Sequence, residues 1–342
     1  MIKCLIWDLD NTLLDGVYLE SAGRPPAVSA VAGAVLRDLA ARGILHAIAS
    51  RNPPEAGEYA GQATGHSFAA VECGWGPKPA AIEAIMAELG LTADEVAFVD
   101  DDALERAEVS FRLSDVLVLA PQDLPEAAGW PQFGPPAVTD EARRRGELYL
   151  QRRARQEEAR AFGGSRDDFL RYCETSVTIS PAGAADLPRL HELSVRTHQF
   201  NSTGTAVGEA EFARLLGSAD HVLATVGLAD RFGDDGLVGA CVIATETGDW
   251  DVRLLMMSCR ALGRGVIDAL LAWTCRAAAA AGASQVTVTC VISPRNVPLR
   301  LALTGAGFRV EPADRRDGGR TAVYRVQLGA ELPDLPGWVT AP

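Results

Sequence analysis

Four short apolar runs stand in the first 119 residues: Lys3–Asp8, Ile44–Ser50, Glu95–Val99 and Asp115–Leu119. Helical periodicity falls between them at Ser29–Arg42 and at Pro79–Leu89, closed by Gly43 and Gly90. Strands that alternate with helices predict right-handed βαβ units around a parallel sheet, an α/β fold of the Rossmann type. In such a sheet, ligands gather at the carboxyl ends of the strands. Three of the runs lead into polar residues there: Asp8, Ser50 and Asp100-Asp101-Asp102.

The first of those ends carries the densest chemistry. Asp8-Leu9-Asp10-Asn11-Thr12 places two carboxylates two residues apart, directly after an apolar strand. Such a pair can share one Mg²⁺, one residue through its side chain and the other through its backbone carbonyl. The carboxyl of Asp10 then stays available to move protons. Asp8 is suited to attack a phosphorus atom in line and form a phospho-aspartate. Ser50 offers a hydroxyl to a phosphoryl oxygen, and Asp100 and Asp101 complete the metal shell. Lys78 adds a compact charge. The chain holds 32 basic residues, and only Lys3 and Lys78 are lysines. An ammonium is not interchangeable with a guanidinium at a crowded anion site. Taken singly these signals are weak, since strand-end Ser and Asp also cap helices. Taken in order, they point to phosphoryl chemistry with Mg²⁺ as cofactor.

A length of 342 residues, at roughly 150 per domain, predicts two domains. The boundaries read as 1–138 for the α/β domain, 139–172 for a helical linker, 173–330 for a second domain and 331–342 for a tail. Too few residues separate Asp10 from the first helix to build a cap domain, although Gly16 to Pro26 can form a flap. The linker mixes Arg and Glu, as a solvated connecting helix does. The second domain reads as α+β. An antiparallel meander over Val222–Leu228, Leu237–Thr245 and Asp251–Ser258 turns at Gly233-Asp234-Asp235-Gly236 and at Gly248-Asp249. A helix over Gly265–Ala281, a strand over Gln285–Ile292, a helix over Asn296–Gly305 and a strand over Ala322–Leu328 follow.

The net charge of −13, with no basic block, argues against nucleic acid and anionic membranes as main partners. No apolar run approaches the roughly 18–20 residues of a membrane span, and the start of the chain has no signal-peptide pattern. Seven cysteines without a C-x-x-C pair fit a reducing, cytoplasmic setting.

Two further clusters lie in the second domain. Cys259 stands just before the predicted helix that starts at Gly265. The positive end of that helix and Arg260 would favour its thiolate, whereas a buried, inert thiol is the commoner fate of cysteine. Cys73, close to Lys78, is the competing nucleophile. Thr197-His198-Gln199-Phe200-Asn201 offers His198 as a general base or thioester positioner and Asn201 as an oxyanion donor. The same residues equally suit a hydrogen-bonded turn. Asp234 and Asp235 read as turn residues, and His46 and His191 as structural.

The motifs D8-L-D10-N-T12, A-S50, W75-G-P-K78 and V-D100-D101-D102 resemble the haloacid dehalogenase-like phosphatase superfamily, here with a minimal cap. R260-A-L-G263-R264-G265 resembles the pyrophosphate loop of the GNAT acyltransferase fold, where backbone N–H groups hold coenzyme A. Over about residues 1–330, the pairing, together with R106-A-E-V, R196-T-H-Q-F-N201, D230-R-F-G-D-D235 and S258-C-R-A-L-G-R-G265, resembles the FkbH-like glyceryl transferase/phosphatases. The pattern departs at Arg51-Asn52, where Lys-Asn is expected, at Asp102 and at His198. The resemblance implies that a glyceryl unit passes from 1,3-bisphosphoglycerate onto an enzyme cysteine and that its 3-phosphate is removed. The glyceryl group then passes to the phosphopantetheine thiol of an acyl carrier protein for polyketide synthesis. It implies Asp8, Asp10, Lys78, Cys259 and His198 in catalysis, and Ser50, Arg51, Asn52, Asn201, Arg260, Gly263, Arg264 and Gly265 in substrate or phosphate binding. The alternative is a Mg²⁺-dependent phosphatase acting on a carrier-bound phosphoacyl group, whose second domain only binds the carrier.

Overall fold

The computed structural model describes residues 1–21, 25–134, 139–316, 320–329 and 333–340. The flap and the tail expected from 331 onward therefore lie partly outside the described residues. The chain divides into two compact units, Met1–Arg153 and Ala154–Pro342.

In the first unit, alternate residues of β1 (Cys4–Trp7) serve two cores, because successive side chains of a strand point to opposite faces. Leu5 and Trp7 pack into one cluster, with Ile48, Leu36 and Leu39. Cys4 and Ile6 pack into the other, with Phe98, Ile82 and Ile85. Burying each such side chain contributes about 1.5–3 kcal/mol. The elements are α1 (Ala30–Ala41), β2 (Leu45–Ser50), α2 (Pro54–Thr64), β3 (Ala70–Cys73), α3 (Lys78–Leu89), β4 (Val96–Val99), α4 (Ala103–Arg112), β5 (Leu117–Leu119), α5 (Leu124–Ala127), α6 (Asp140–Arg143) and α7 (Arg145–Ala161). The sheet runs β3-β2-β1-β4-β5, parallel throughout. It is thus the α/β architecture read from the sequence, with one strand (β3) and three helices (α2, α4 and α5) more than the periodicity revealed. Gly43 ends α1 in the left-handed region at φ 75°, and a methyl there would meet the Ala142 carbonyl at 2.5 Å.

The expected linker, 139–172, is helical, and its parts pack differently. Leu148 and Tyr149 of α7 are buried, Tyr149 within the first unit's core. Phe169 and Leu170 of α8 (Arg166–Tyr172) are buried in the second unit.

The second unit continues with β6 (Thr175–Pro181), α9 (Leu187–Arg196), α10 (Glu209–Leu216), β7 (His221–Asp230), β8 (Gly233–Ala244), β9 (Trp250–Met257), α11 (Val266–Ala280), β10 (Gln285–Val291), α12 (Val297–Gly305), β11 (Arg309–Arg316), β12 (Thr321–Gln327) and β13 (Val339–Thr340). Its sheet runs β11-β12-β10-β9-β8-β7-β6-β13. β10–β9 and β13–β6 are parallel, and the remaining pairs are antiparallel. One face packs on α11 and α12, the other on α9 and α10. The expected meander is present, but one of its turns is displaced. Gly233 and Gly236 lie within β8, and the hairpin turns at Arg231-Phe232, because Asp230 pairs with Gly233. Gly236 flanks a register shift in the ladder, and Asp234 and Asp235 are strand residues.

Candidate active sites

β1 delivers Asp8 to the carboxyl edge of the parallel sheet, only 6% exposed. Beyond it the backbone turns sharply. Asp10 is extended and Asn11 takes the left-handed region at φ 50°, which Asn tolerates better than most residues. The turn carries Asp10 to Asn52 and Tyr18: its carboxylate accepts from Asn52 Nδ2 at 3.0 Å and from the Tyr18 N–H at 2.8 Å. Ser50, the last residue of β2, donates its hydroxyl to Asp8 Oδ1 at 3.0 Å.

Lys78, the first residue of α3, is 2% exposed. Its ammonium donates to Asp8 Oδ1, to Asp100 Oδ2 at 2.9 Å and to the Ala49 carbonyl at 3.0 Å. Burial by itself would lower the lysine pKa, but the carboxylates of Asp8 and Asp100 outweigh it and hold Lys78 charged. Burial pushes Asp8 up to about 7, with Lys78 acting in the opposite sense. Burial and neighbouring Asp100 likewise raise Asp101. Lys3, the other lysine, pairs with Glu95 at 2.6 Å and is structural.

Asp100 and Asp101 follow β4. Thr12 accepts from the Asp101 N–H at 3.0 Å, and Arg106 donates to the carbonyls of both aspartates at 2.7 Å. One carboxylate oxygen each from Asp8, Asp100 and Asp101 lie within 4.8 Å of one another. Hard oxygen donors at this spacing suit Mg²⁺, and among the described residues the buried Asn52 Oδ1 has no hydrogen-bond partner. The residues fit the ion, and a divalent cation among them would reverse the upward shift of Asp8.

Glu105 is a site residue that sequence reasoning missed. It lies 3.2 Å from Lys78 Nζ and 3.0 Å from Arg51 Nη1, and burial raises its pKa. An acid in the first turn of a helix ordinarily reads as a partner of the helix dipole, so its position gave no signal. Arg51 thus stands at the rim of the site, held by Glu105. A cavity of about 230 Å³ opens beside it, lined by Ser50, Arg51, Cys73, Gly74 and Lys78. Burial pushes the Cys73 thiol up to about 11. That keeps Cys73 neutral and a poor nucleophile at physiological pH.

The second unit treats its predicted residues differently. Cys259 is half-buried and opens a short 3₁₀ turn, Cys259–Ala261, capped by Ser258. It does not sit at the N-terminus of α11, because Leu262 to Gly265 intervene. Arg264, expected to bind phosphate, is buried and turned inward. It pairs with Asp235 and, at 2.7 Å, with Asp230. Arg155 reaches the same Asp230 at 2.6 Å. Arg260 is also buried and reaches the Asp235 carbonyl at 3.4 Å. Asp235, read as a turn residue, is therefore the anion of a buried ion cluster. Gly263 and Gly265 adopt φ 72° and 76°, as the turn before α11 requires.

Asn201 is 1% exposed, and its amide holds the turn. Its Nδ2 donates to the Ser194 carbonyl at 3.3 Å, and its Oδ1 accepts from the N–H groups of Thr203 and Gly204. Its segment has another role. β9 and β10 pair only over Trp250–Val252 and Val286–Val288, and Phe200 to Ser202 fill the gap beyond. Met257 N donates to Phe200 O at 2.8 Å, Ser202 N to Leu255 O at 2.9 Å, and Val291 N to Ser202 O at 2.7 Å. Asn201 bridges Met256 in antiparallel register. Two residues before Phe200 comes the half-buried His198, in a turn, and two residues after Met257 comes Cys259, in its 3₁₀ turn. His46 and His191 are structural: His46 accepts from Trp7 Nε1, and His191 bonds the Val207 carbonyl. Cys4, Cys173, Cys241, Cys275 and Cys290 are buried.

No protein-family model matches the chain, and no curated protein matches it. Solved structures do show likenesses. The N-terminal part of the protein BF1531 from Bacteroides fragilis, containing a phosphatase domain complexed with Mg, is 26% identical over 37% of this chain, with TM-score 0.33. The match spans 39% of that chain's length. A GNAT superfamily phosphinothricin acetyltransferase from Sinorhizobium meliloti, in complex with AcCoA, is 22% identical over 46% of this chain and 93% of its own, with TM-score 0.35. The ribosomal-protein-S18-alanine N-acetyltransferase from Escherichia coli is 14% identical over 46% of this chain and 98% of its own, also at 0.35.

Proposed function

We propose that the protein is a bifunctional phosphatase and acyltransferase that carries a glyceryl unit from 1,3-bisphosphoglycerate to an acyl carrier protein. The observation that carries the phosphatase half is the convergence of Ser50, Lys78 and Asp100 around Asp8. Ser50 and Lys78 hold Oδ1 of Asp8, which leaves its other oxygen to attack phosphorus. The bond to the leaving hydroxyl oxygen breaks, and Asp10, held by Asn52 and the Tyr18 N–H, gives that oxygen its proton. Water then attacks the phospho-aspartate, returns a proton to Asp10 and releases phosphate with Asp8 restored. Mg²⁺ held by Asp8, Asp100 and Asp101 would offset the charge of the phosphoryl oxygens.

The acyl half rests on the FkbH-like resemblance; His198 and Cys259 each stand two residues outside the Phe200–Met257 backbone contact. His198 takes the thiol proton, and the sulfur attacks the acyl phosphate carbonyl. The carbon–oxygen bond to phosphate breaks and a thioester forms. The carrier's pantetheine thiolate then attacks the thioester, and Cys259 regains a proton from His198. The carrier and the glyceryl unit follow from the FkbH-like resemblance.

Intact-mass measurement after incubation with 1,3-bisphosphoglycerate and Mg²⁺ tests this directly. The wild-type chain gains a glyceryl or phosphoglyceryl mass, and Cys259→Ala does not. An adduct that persists in Cys259→Ala, or none on the wild type, overturns the acyl half.

A further inference from the structure

α4 turns its apolar stripe outward. Its one buried residue is Val109. Leu104 is 80% exposed and Phe111 88%, and among the described residues no other large apolar side chain is as exposed. Seven residues make almost two turns, so the two stand in line on one side of the helix, with the exposed Ala107 between them. Scattered exposed apolar residues are ordinary, but two large ones aligned on one helix face make a patch of the kind that marks an interaction surface. The fold of the first unit does not need them there. Val109, the contact of Glu105 with Lys78 and the bonds from Arg106 to the carbonyls of Asp100 and Asp101 hold α4 from its inner side.

The two ends of the stripe differ in charge. The exposed Asp102 caps α4 by accepting from the N–H groups of Leu104 and Glu105, and the exposed Arg112 closes the helix. An apolar stripe with an acid at one end and a base at the other is complementary to its own reverse, as an isologous two-fold contact requires. In an antiparallel pair centred between Ala107 and Glu108, Leu104 meets the partner's Phe111, and Phe111 the partner's Leu104. Arg112 then comes beside the partner's Asp102. Ala107 comes beside the partner's Ala107 and is small enough to let the helices approach closely. Glu108 faces its own copy, a like-charge contact that weakens the pair. One helix face also falls short of the roughly 800 Å² per partner of a standard interface, so the association is reversible.

We propose that α4 is a contact between two copies of this chain, in which antiparallel α4–α4 packing about a two-fold axis covers Leu104 and Phe111. The contact is independent of the phosphatase and acyl-transfer chemistry, and self-association alone tests it.

Sedimentation velocity of the full chain from about 1 to 100 μM spans the affinities of a small interface. The expected result is a monomer at the low end and a dimer at the high end. Phe111→Asp should raise the dissociation constant by roughly tenfold or more. Its thermal melting should match the wild type, because the side chain is exposed. Ala107→Cys, oxidised at concentrations where the dimer forms, should give a disulfide-linked pair. The wild type and Ser110→Cys, which lies on another side of the helix, should not. A monomer throughout overturns the contact and leaves the stripe to an unlike partner. A dimer that Phe111→Asp does not weaken also overturns it, because another face then holds the copies. A dimer that needs Phe111 but gives no Ala107→Cys link overturns the antiparallel two-fold. Should Phe111→Asp not fold, Leu104→Ser is read by the same criteria.

Discussion

Both units bury charge, but they do so to opposite ends. In the first, Asp8, Asp10, Asp100, Asp101 and Glu105 crowd the sheet edge against Lys78, Arg51 and Arg106, so that carboxylates outnumber cations. In the second, Arg155 and Arg264 face Asp230 and Asp235, and each carboxylate meets a guanidinium. A cluster whose carboxylates are already taken up by its own guanidinium groups is a clamp. An excess of buried carboxylate beside an open cavity is unstable without a cation, and that is what a metal-dependent phosphoryl site needs. Residue type alone does not distinguish the two; the balance of partners does.

The largest effect that would break the comparison is on chemistry. Asp8→Asn keeps the shape of the site but removes the nucleophile, and should lower phosphate release by roughly 10⁴-fold. Acyl loading at Cys259 should survive, as seen by intact mass. Loss of loading as well would mean that the two sites do not act separately.

Next in size is the clamp. Asp230→Asn leaves Arg264 and Arg155 short of a carboxylate whose side chain is fully buried. Removing one partner of such a cluster costs about 3–5 kcal/mol. Urea unfolding of the second unit should show that loss while phosphatase activity stays normal. A cost below about 1 kcal/mol would place these pairs with ordinary surface ion pairs.

Lys78→Arg sharpens the contrast further. The ammonium meets Asp8, Asp100, Glu105 and a carbonyl at one point, and a planar fork cannot satisfy all four. Turnover should fall by roughly 10²-fold with little change in folding, measured by phosphate release and thermal melting. Near-normal turnover would leave Lys78 with no role beyond its charge.

How much of this was legible follows the range of the contacts. Strand-end residues Asp8, Ser50 and Asp100 were readable, because a parallel sheet brings its carboxyl ends together whatever the details. β3 and α2 were not: A-V-E-C is short and broken by a charge, and P-E-A-G-E-Y-A-G carries glycines and little apolar periodicity. Gly233-Asp234-Asp235-Gly236 has the composition of a turn, yet the pairing of Asp230 with Gly233 makes it strand. Arg264 looked like a phosphate ligand because its neighbours in sequence are glycines. Its partners, Asp230 and Asp235, come from another hairpin, and no local pattern announces them. Phe200 to Ser202 fill the gap between β9 and β10 for a reason equally remote from sequence: two diverging strands leave backbone groups that must be satisfied.

The smallest expected effect concerns a neutral buried base in the first unit. His46 is 1% exposed in β2, and its Nδ1 accepts from Trp7 Nε1 at 2.9 Å. Burial, and then neighbouring His66, lower its pKa from 6.5 to about 3. The folded chain therefore holds His46 neutral at pH values where the unfolded chain protonates it. The stability this preserves is complete above pH 6.5 and is lost as pH falls from there toward about 3. Within that window the loss should be about 1.4 kcal/mol per pH unit, one proton's worth. His46→Gln keeps an acceptor for Trp7 but cannot be protonated, so its stability should fall less steeply with acid by that amount. Urea unfolding of both chains at pH 6.5, 5.5 and 4.5 measures the difference. Parallel curves would mean that His46 contributes nothing to the acid sensitivity of the first unit, whose excess of carboxylates would then govern it alone.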